Sequence, residues 1–141
     1  MKTGASGELA LFAAWAVALI ATLSVLFTGE VLGQTPCILC WYQRAFMFPL
    51  AVILGIAAWR ADFTIRIYAM PLAIIGAGIA LWHLGLFIGI IPQAVQPCTA
   101  NGPSCTDENQ FFLGVPIPLL SFAAFAAIVV LLLAAQPETD K

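Results

Sequence analysis

Two cysteines and an arginine at the start of a long apolar segment are the residues best suited to chemistry. Two residues separate Cys37 from Cys40, and Arg44 follows four positions after Cys40. Helical residues three or four positions apart lie on one face, so we expect the two sulfurs and the guanidinium to share a face. The positive end of a helix favours thiolates. The pattern predicts thiol–disulfide chemistry beside a cation that stabilises a thiolate or the anion of a reduced electron acceptor.

The residues before the cysteines predict where this helix begins. Thr35 is a favourable N-cap and Pro36 a favourable first helical residue, so Cys37 and Cys40 are expected in the first turn. The same spacing also fits a structural disulfide or half of a metal site, and Arg44 also fits a side chain that extends to the membrane interface. If the chain is a membrane protein oriented by its other basic residues, Arg44 would be the sole basic residue on the outer side of the membrane. Because charges inside membranes are usually functional, we favour a functional role for it.

A second cysteine pair lies in the only sizeable loop of the chain. Cys98 and Cys105 are separated by six residues, and Asn101, Gly102 and Pro103 between them can turn the chain so that the two sulfurs meet. An exposed disulfide of this kind suits exchange with a soluble dithiol protein. A loop disulfide that only stabilises the fold is the alternative.

The composition is that of a membrane protein. Of 141 residues, 62% are hydrophobic and 9% are charged, with a net charge of -2, whereas soluble domains carry about 25% charged residues. The sequence has no basic patch, so nucleic-acid binding has no support. Stretches of roughly 20 apolar residues can cross a bilayer as helices. We therefore predict one all-α membrane domain, a four-helix bundle with spans at about 9–27, 40–59, 67–91 and 115–135.

The distribution of basic residues predicts the orientation in the membrane. The outer loops, 28–39 and 92–114, contain no Lys or Arg. The four basic residues other than Arg44 would then face the cytoplasm or flank a cytoplasmic loop; they are Lys2, Arg60, Arg66 and Lys141. Both termini are expected in the cytoplasm. All four cysteines are then on the outer side of the membrane, where disulfides persist.

The chain closely resembles the DsbB family of disulfide bond formation proteins, and in particular its short-loop, BdbC-like members. The resemblance rests on four spans and a cysteine pair between the third and fourth. It also rests on the run from Pro36 to Arg44, which reads P-C-x-L-C-x-x-x-R, and on the run from Phe112 to Pro118 at the start of span 4. Family members with long loops hold the second cysteine pair farther apart. The short spacing here argues against any rearrangement of the disulfides that needs a long loop between Cys98 and Cys105.

The resemblance implies a mechanism and its residues. A reduced, periplasmic DsbA-like oxidase with a thioredoxin fold would attack the Cys98–Cys105 disulfide at Cys98. Cys105 would exchange with Cys37. Cys40 would face a membrane quinone, either ubiquinone or menaquinone, and Arg44 would contact it. Two electrons would pass to the quinone and the Cys37–Cys40 disulfide would reform.

The resemblance also bears on His83 and on location. His83 is the only histidine, it lies in the outer half of span 3, and it is similar to a family histidine in that span. It is either a helix-packing residue or a polar contact near a quinone carbonyl. The family implies a multi-pass protein of the bacterial inner membrane with both cysteine pairs on the periplasmic side.

Three other functions fit parts of the pattern. A quinone reductase like vitamin K epoxide reductase has four spans and two cysteine pairs, but its C-x-x-C opens the last span rather than the second. A metal-binding or transport protein could use four thiolates, although the spans lack polar residues to line an ion path. A structural membrane subunit with two inert disulfides would resist rapid reduction and reoxidation.

Overall fold

The computed structural model describes residues 2–34, 37–92 and 111–135, with side chains from residue 5 onward. In these ranges, four helices are long and apolar enough to cross a membrane, as the sequence predicts. They are α1 (Lys2–Leu26), α2 (Ile38–Arg60), α3 (Arg66–Phe87) and α4 (Ile117–Ala134). The predicted orientation of the termini stays a prediction.

The four helices pack as a closed ring. Each helix contacts two others, α1 with α2 and α4, and α3 with α2 and α4. Small residues bring the helices close together, most clearly at Gly76, where an added Cβ would lie 2.2 Å from the Phe125 ring. Many large apolar side chains point outward instead, among them Trp59 and Ile67. Such an apolar exterior is expected where the surrounding solvent is lipid.

The turn between α2 and α3 is built from local caps. α2 ends at Arg60, and its C-cap residue Ala61 has a left-handed φ of 52°. Asp62 then accepts hydrogen bonds from the backbone N–H and the hydroxyl of Thr64, which opens a short 3₁₀ turn, Phe63–Ile65. These bonds lower the pKa of the Asp62 carboxyl. The turn is therefore defined by its own sequence.

α3 ends earlier than the sequence predicts. The expected span continued to Ile91, but the helix stops at Phe87 because Gly89 takes a φ of 84°. The backbone N–H groups of Ile90 and Ile91 both turn back to donate to the Gly85 carbonyl. The chain thus leaves the helix about one turn sooner than its hydropathy indicates.

A short hairpin before α4 is not evident in the sequence. The strands β1 (Phe111–Phe112) and β2 (Val115–Pro116) pair antiparallel. The two residues between them, Leu113 and Gly114, both have positive φ, 53° and 82°, as tight hairpin turns require.

Candidate functional site: a dithiol beside an apolar cavity

The first cysteine pair lies where α2 begins. Cys37 is the N-cap residue, with φ -73° and ψ 170°, and the helix starts at Ile38. The expectation that Thr35 caps the helix and that Cys37 lies in its first turn was therefore wrong by two residues; Thr35 and Pro36 lie outside the described residues. The two sulfurs still meet, since Cys37 Sγ lies 3.0 Å from Cys40 Sγ. This separation is longer than a disulfide bond of about 2.05 Å, so the two cysteines are unbonded thiols in this structure.

Cys37 lies deep between α2 and α3. Its side chain is fully buried and packs with Leu39 and Leu86. Its sulfur is 3.7 Å from Nε2 of His83. The hydrogen bond with Cys40 is the main cause that lowers the pKa of the Cys37 thiol. Burial raises this pKa, and the neighbouring His83 lowers it further. Cys37 precedes the membrane-spanning segment Ile38–Arg60, and of the two thiols we expect it to ionise first.

His83 is connected to a second buried polar residue on α2. Nδ1 of His83 lies 2.9 Å from Nε2 of Gln43, and both side chains are buried. The spacing that singles out the cysteines and Arg44 gives no role to Gln43. The available signal was that it is the one amide side chain within the predicted span 40–59.

Arg44 is held against the end of α1. Its Nη2 donates to the Val25 carbonyl at 3.0 Å, and its guanidinium lies 5.4 Å from the centre of the Trp41 ring. α1 ends in a π-helical turn, Phe27–Val31, and such turns are frequent at functional sites. Gly29 in this turn leaves room for the guanidinium, because an added Cβ would lie 3.2 Å from Nη2. The Nε of Arg44 is buried and has no hydrogen-bond partner among the described residues.

An apolar cavity of about 430 Å³ lies between α1, α2, α4 and the hairpin. Binding sites for small molecules typically have volumes of about 300–1,000 Å³ and mostly apolar walls. Cys40, Gln43 and Arg44 contribute its polar groups from α2. The remaining lining side chains are largely apolar and include Ile20, Met47, Phe112, Val115 and Leu120. Cys40 and Arg44, which the sequence places on one helix face, therefore line the same cavity.

The structure separates His83 from this cavity. The described lining residues include Cys40 and Arg44 but do not include His83, which contacts Cys37 instead. A contact between His83 and a quinone stays a prediction. Cys98 and Cys105 lie outside the described residues, and so does the predicted pairing between them.

The dithiol and His83 form a potential set of metal ligands, since their donor atoms lie within 4.8 Å of one another. Tetrahedral zinc with Zn–S bonds of about 2.3 Å would separate two sulfurs by about 3.8 Å. The observed separation of 3.0 Å is shorter. The arrangement therefore suits a redox dithiol and also offers three of the donors that a metal centre would need.

The fold and the site together define a class: multi-pass membrane proteins with a cysteine pair at a helix start, beside an apolar cavity. The family model for "Disulfide bond formation protein DsbB" matches residues 7–135. The chain belongs to the DsbB family, as its resemblance to that family indicated.

Relatives of similar length support this assignment. A "Probable disulfide formation protein" of Metapseudomonas resinovorans is 56% identical over 126 residues, which cover 89% of this chain and 88% of the relative. "Disulfide bond formation protein C" of Bacillus subtilis (strain 168) is 38% identical over 133 residues, covering 93% and 95%. A "Probable disulfide formation protein" of Chlamydia pneumoniae is 43% identical over 123 residues, covering 87% and 88%. No solved structure matches the chain.

Proposed function

We propose that this protein is a quinone-dependent thiol:disulfide oxidoreductase of the bacterial inner membrane. It reoxidises a soluble, periplasmic DsbA-like oxidase with a thioredoxin fold and passes the electrons to ubiquinone or menaquinone. Membership of the DsbB family and the names of the relatives support a role in disulfide formation. The quinone, the partner and the orientation, with both termini in the cytoplasm, are parts of the proposal.

The observation that carries the proposal is that Cys40 and Arg44 line the same apolar cavity. One sulfur of the dithiol thus borders a compartment that suits a membrane-dissolved ring. Arg44 lies on the same wall, with one N–H group directed to Val25 and a buried Nε that has no partner in the described part of the chain. A guanidinium in this position suits an oxygen that becomes negatively charged on reduction.

The residues of the cavity fit a quinone. Its apolar walls suit the ring and the isoprenoid chain, and Arg44 suits a ring oxygen. A bound quinone supplies the oxidising power, because it accepts two electrons and two protons. Arg44 would bind and orient it, and the side chains of α1 and α4 would exclude water.

The cysteines perform the exchange steps in a balanced order. A thiolate of the partner attacks Cys98 of the Cys98–Cys105 disulfide and releases Cys105 as a thiolate. Cys105 attacks Cys37 of the Cys37–Cys40 disulfide and releases Cys40 as a thiolate. The partner's second thiolate then releases Cys98, which attacks Cys105 and frees Cys37. The partner leaves as a disulfide, and both electrons reside on the Cys37–Cys40 dithiol.

The test is anaerobic reduction of ubiquinone and of menaquinone by the purified protein, with a reduced thioredoxin-fold oxidase as donor. We expect donor-dependent reduction that Cys40→Ser abolishes. Cys98→Ser should block oxidation of the donor but leave quinone binding intact, which makes it the matched control. If both variants kept full oxidase activity, or if neither quinone were reduced by the folded wild-type protein, the proposed electron route would be wrong.

A further inference from the structure

Gln43 and His83 form a buried polar pair across the contact between α2 and α3. The pair is continuous with the dithiol, because Nε2 of His83 lies 3.7 Å from the Cys37 sulfur while Nδ1 lies 2.9 Å from Gln43. Gln43 lines the cavity and also touches His83. Buried polar groups usually have specific partners, and here the two nitrogens of one imidazole face different ones.

The chemistry of the two side chains determines where the proton of the imidazole resides. An amide nitrogen can donate a hydrogen bond but cannot accept one, so with Nε2 of Gln43 facing the imidazole, Nδ1 of His83 would be the acceptor. A neutral imidazole carries its proton on only one nitrogen. That proton is then on Nε2, the nitrogen that faces Cys37.

We infer that Gln43 is a positioning residue: its amide holds His83 in the Nε2–H tautomer, so that His83 donates a hydrogen bond to the Cys37 sulfur. The inference deepens the proposed function, on which its consequence for the redox reaction rests. Within the described part of the chain, the contact of Gln43 with the Cys37 sulfur runs through His83.

The tautomer matters because the two redox states of Cys37 differ as acceptors. A thiolate accepts a hydrogen bond well, whereas a sulfur in a disulfide is a weak acceptor. An Nε2–H group aimed at Cys37 therefore stabilises the reduced pair relative to the disulfide. With the proton on Nδ1, the lone pair of Nε2 would face the thiolate and oppose reduction.

The direct test is nitrogen NMR of the full-length protein, reduced and labelled with ¹⁵N-histidine. His83 is the only histidine, so every histidine signal belongs to it, provided that the affinity tag contains none. We expect a protonated, pyrrole-type Nε2 and an unprotonated, pyridine-type Nδ1. A protonated Nδ1 in the wild type would overturn the inference.

Two substitutions at Gln43 separate tautomer control from packing. Gln43→Glu keeps the shape but replaces the donor by an acceptor, so Nδ1 should become protonated. Gln43→Leu removes the hydrogen bond, and the single Nε2–H tautomer should give way to a mixture. Gln34→Leu, at another glutamine that lines the cavity, is the matched control and should leave the spectrum unchanged. If the wild-type tautomer persisted in both Gln43 variants, Gln43 would not control it.

A second readout connects the tautomer to redox chemistry. In equilibrium with glutathione, Gln43→Leu should shift the Cys37–Cys40 pair toward the disulfide by about three- to tenfold, the usual range for one hydrogen bond. An unchanged equilibrium would refute the stabilising role. Neither measurement involves a quinone, so the inference can hold if quinone reduction fails, and it can fail if quinone reduction is observed.

Discussion

Replacing Gly29 by alanine should weaken quinone binding, although Gly29 is not among the described residues that line the cavity. Gly29 lies in the π-helical turn at the end of α1, beside the guanidinium of Arg44. The added methyl would lie 3.2 Å from Nη2 and 3.7 Å from Nη1 of Arg44. The guanidinium must therefore move by a few tenths of an ångström. That movement strains its 3.0 Å hydrogen bond to the Val25 carbonyl, which positions it.

The expected magnitude follows from this single hydrogen bond. A hydrogen bond to a charged group contributes about 1.5–3 kcal/mol, so losing roughly half of a value within this range costs about 1 kcal/mol. In an equilibrium constant, that energy corresponds to about fivefold. We expect the apparent KM for the quinone to rise about fivefold, with little change in kcat, because ground-state binding is what the displaced guanidinium loses.

The assay is steady-state quinone reduction in detergent micelles, with the quinone concentration varied at saturating donor. Gly78→Ala is the matched control, since an added Cβ there meets nothing within 4 Å, and its KM should equal that of the wild type. A wild-type KM in Gly29→Ala would refute the reasoning that the α1 turn positions Arg44. A fall in kcat alone would point to an effect on electron transfer rather than on binding.

The other predictions concern the cation, the packing and the thiolate. Arg44→Ala should raise the quinone KM about 10- to 150-fold, as expected for losing a full charged hydrogen bond; an unchanged KM would remove the role assigned to it. Gly76→Ala should lower the thermal unfolding midpoint in micelles, because overpacking against Phe125 costs about 1–3 kcal/mol, whereas Gly78→Ala should not; equal midpoints would show that the ring adapts freely. Because the pKa of Cys37 is lowered, a thiolate should persist below the usual thiol range of about 8.5 and should be lost only as the pH falls through the lowered pKa. We would follow thiolate absorbance against pH in a reduced variant whose second cysteine pair is serine, and Cys37→Ser should move the transition upward; a wild-type transition in the usual range would contradict the hydrogen bonding at Cys37.

The sequence predicted the features that depend on composition and on short spacing. Four long apolar runs predict four membrane-spanning helices, because hydrocarbon requires internally satisfied backbones. The spacing of Cys37, Cys40 and Arg44 predicts one helix face, and the cavity has Cys40 and Arg44 on one wall. These are properties of one helix, so they can be read from a continuous stretch of chain.

The sequence could not predict features that require two separate segments to meet. Gln43 and His83 are 40 residues apart, and only the packing of α2 on α3 joins them. Likewise Gly29 and Val25 lie beside the guanidinium of Arg44 only because α2 packs on α1. Hydropathy shows that such segments cross the membrane but not which faces they turn to each other.

The sequence by itself determined the class of protein, the number of helices and the presence of a cysteine pair suited to thiol chemistry, because apolar length and cysteine spacing are local. Only the tertiary structure decided which of the two sulfurs borders the cavity and which is buried against α3. It buries Cys37 against His83 and places Cys40 on the cavity. The physical reason is that two residues so close in sequence at one helix start are hard to tell apart from the sequence, and the neighbouring helices give them different surroundings.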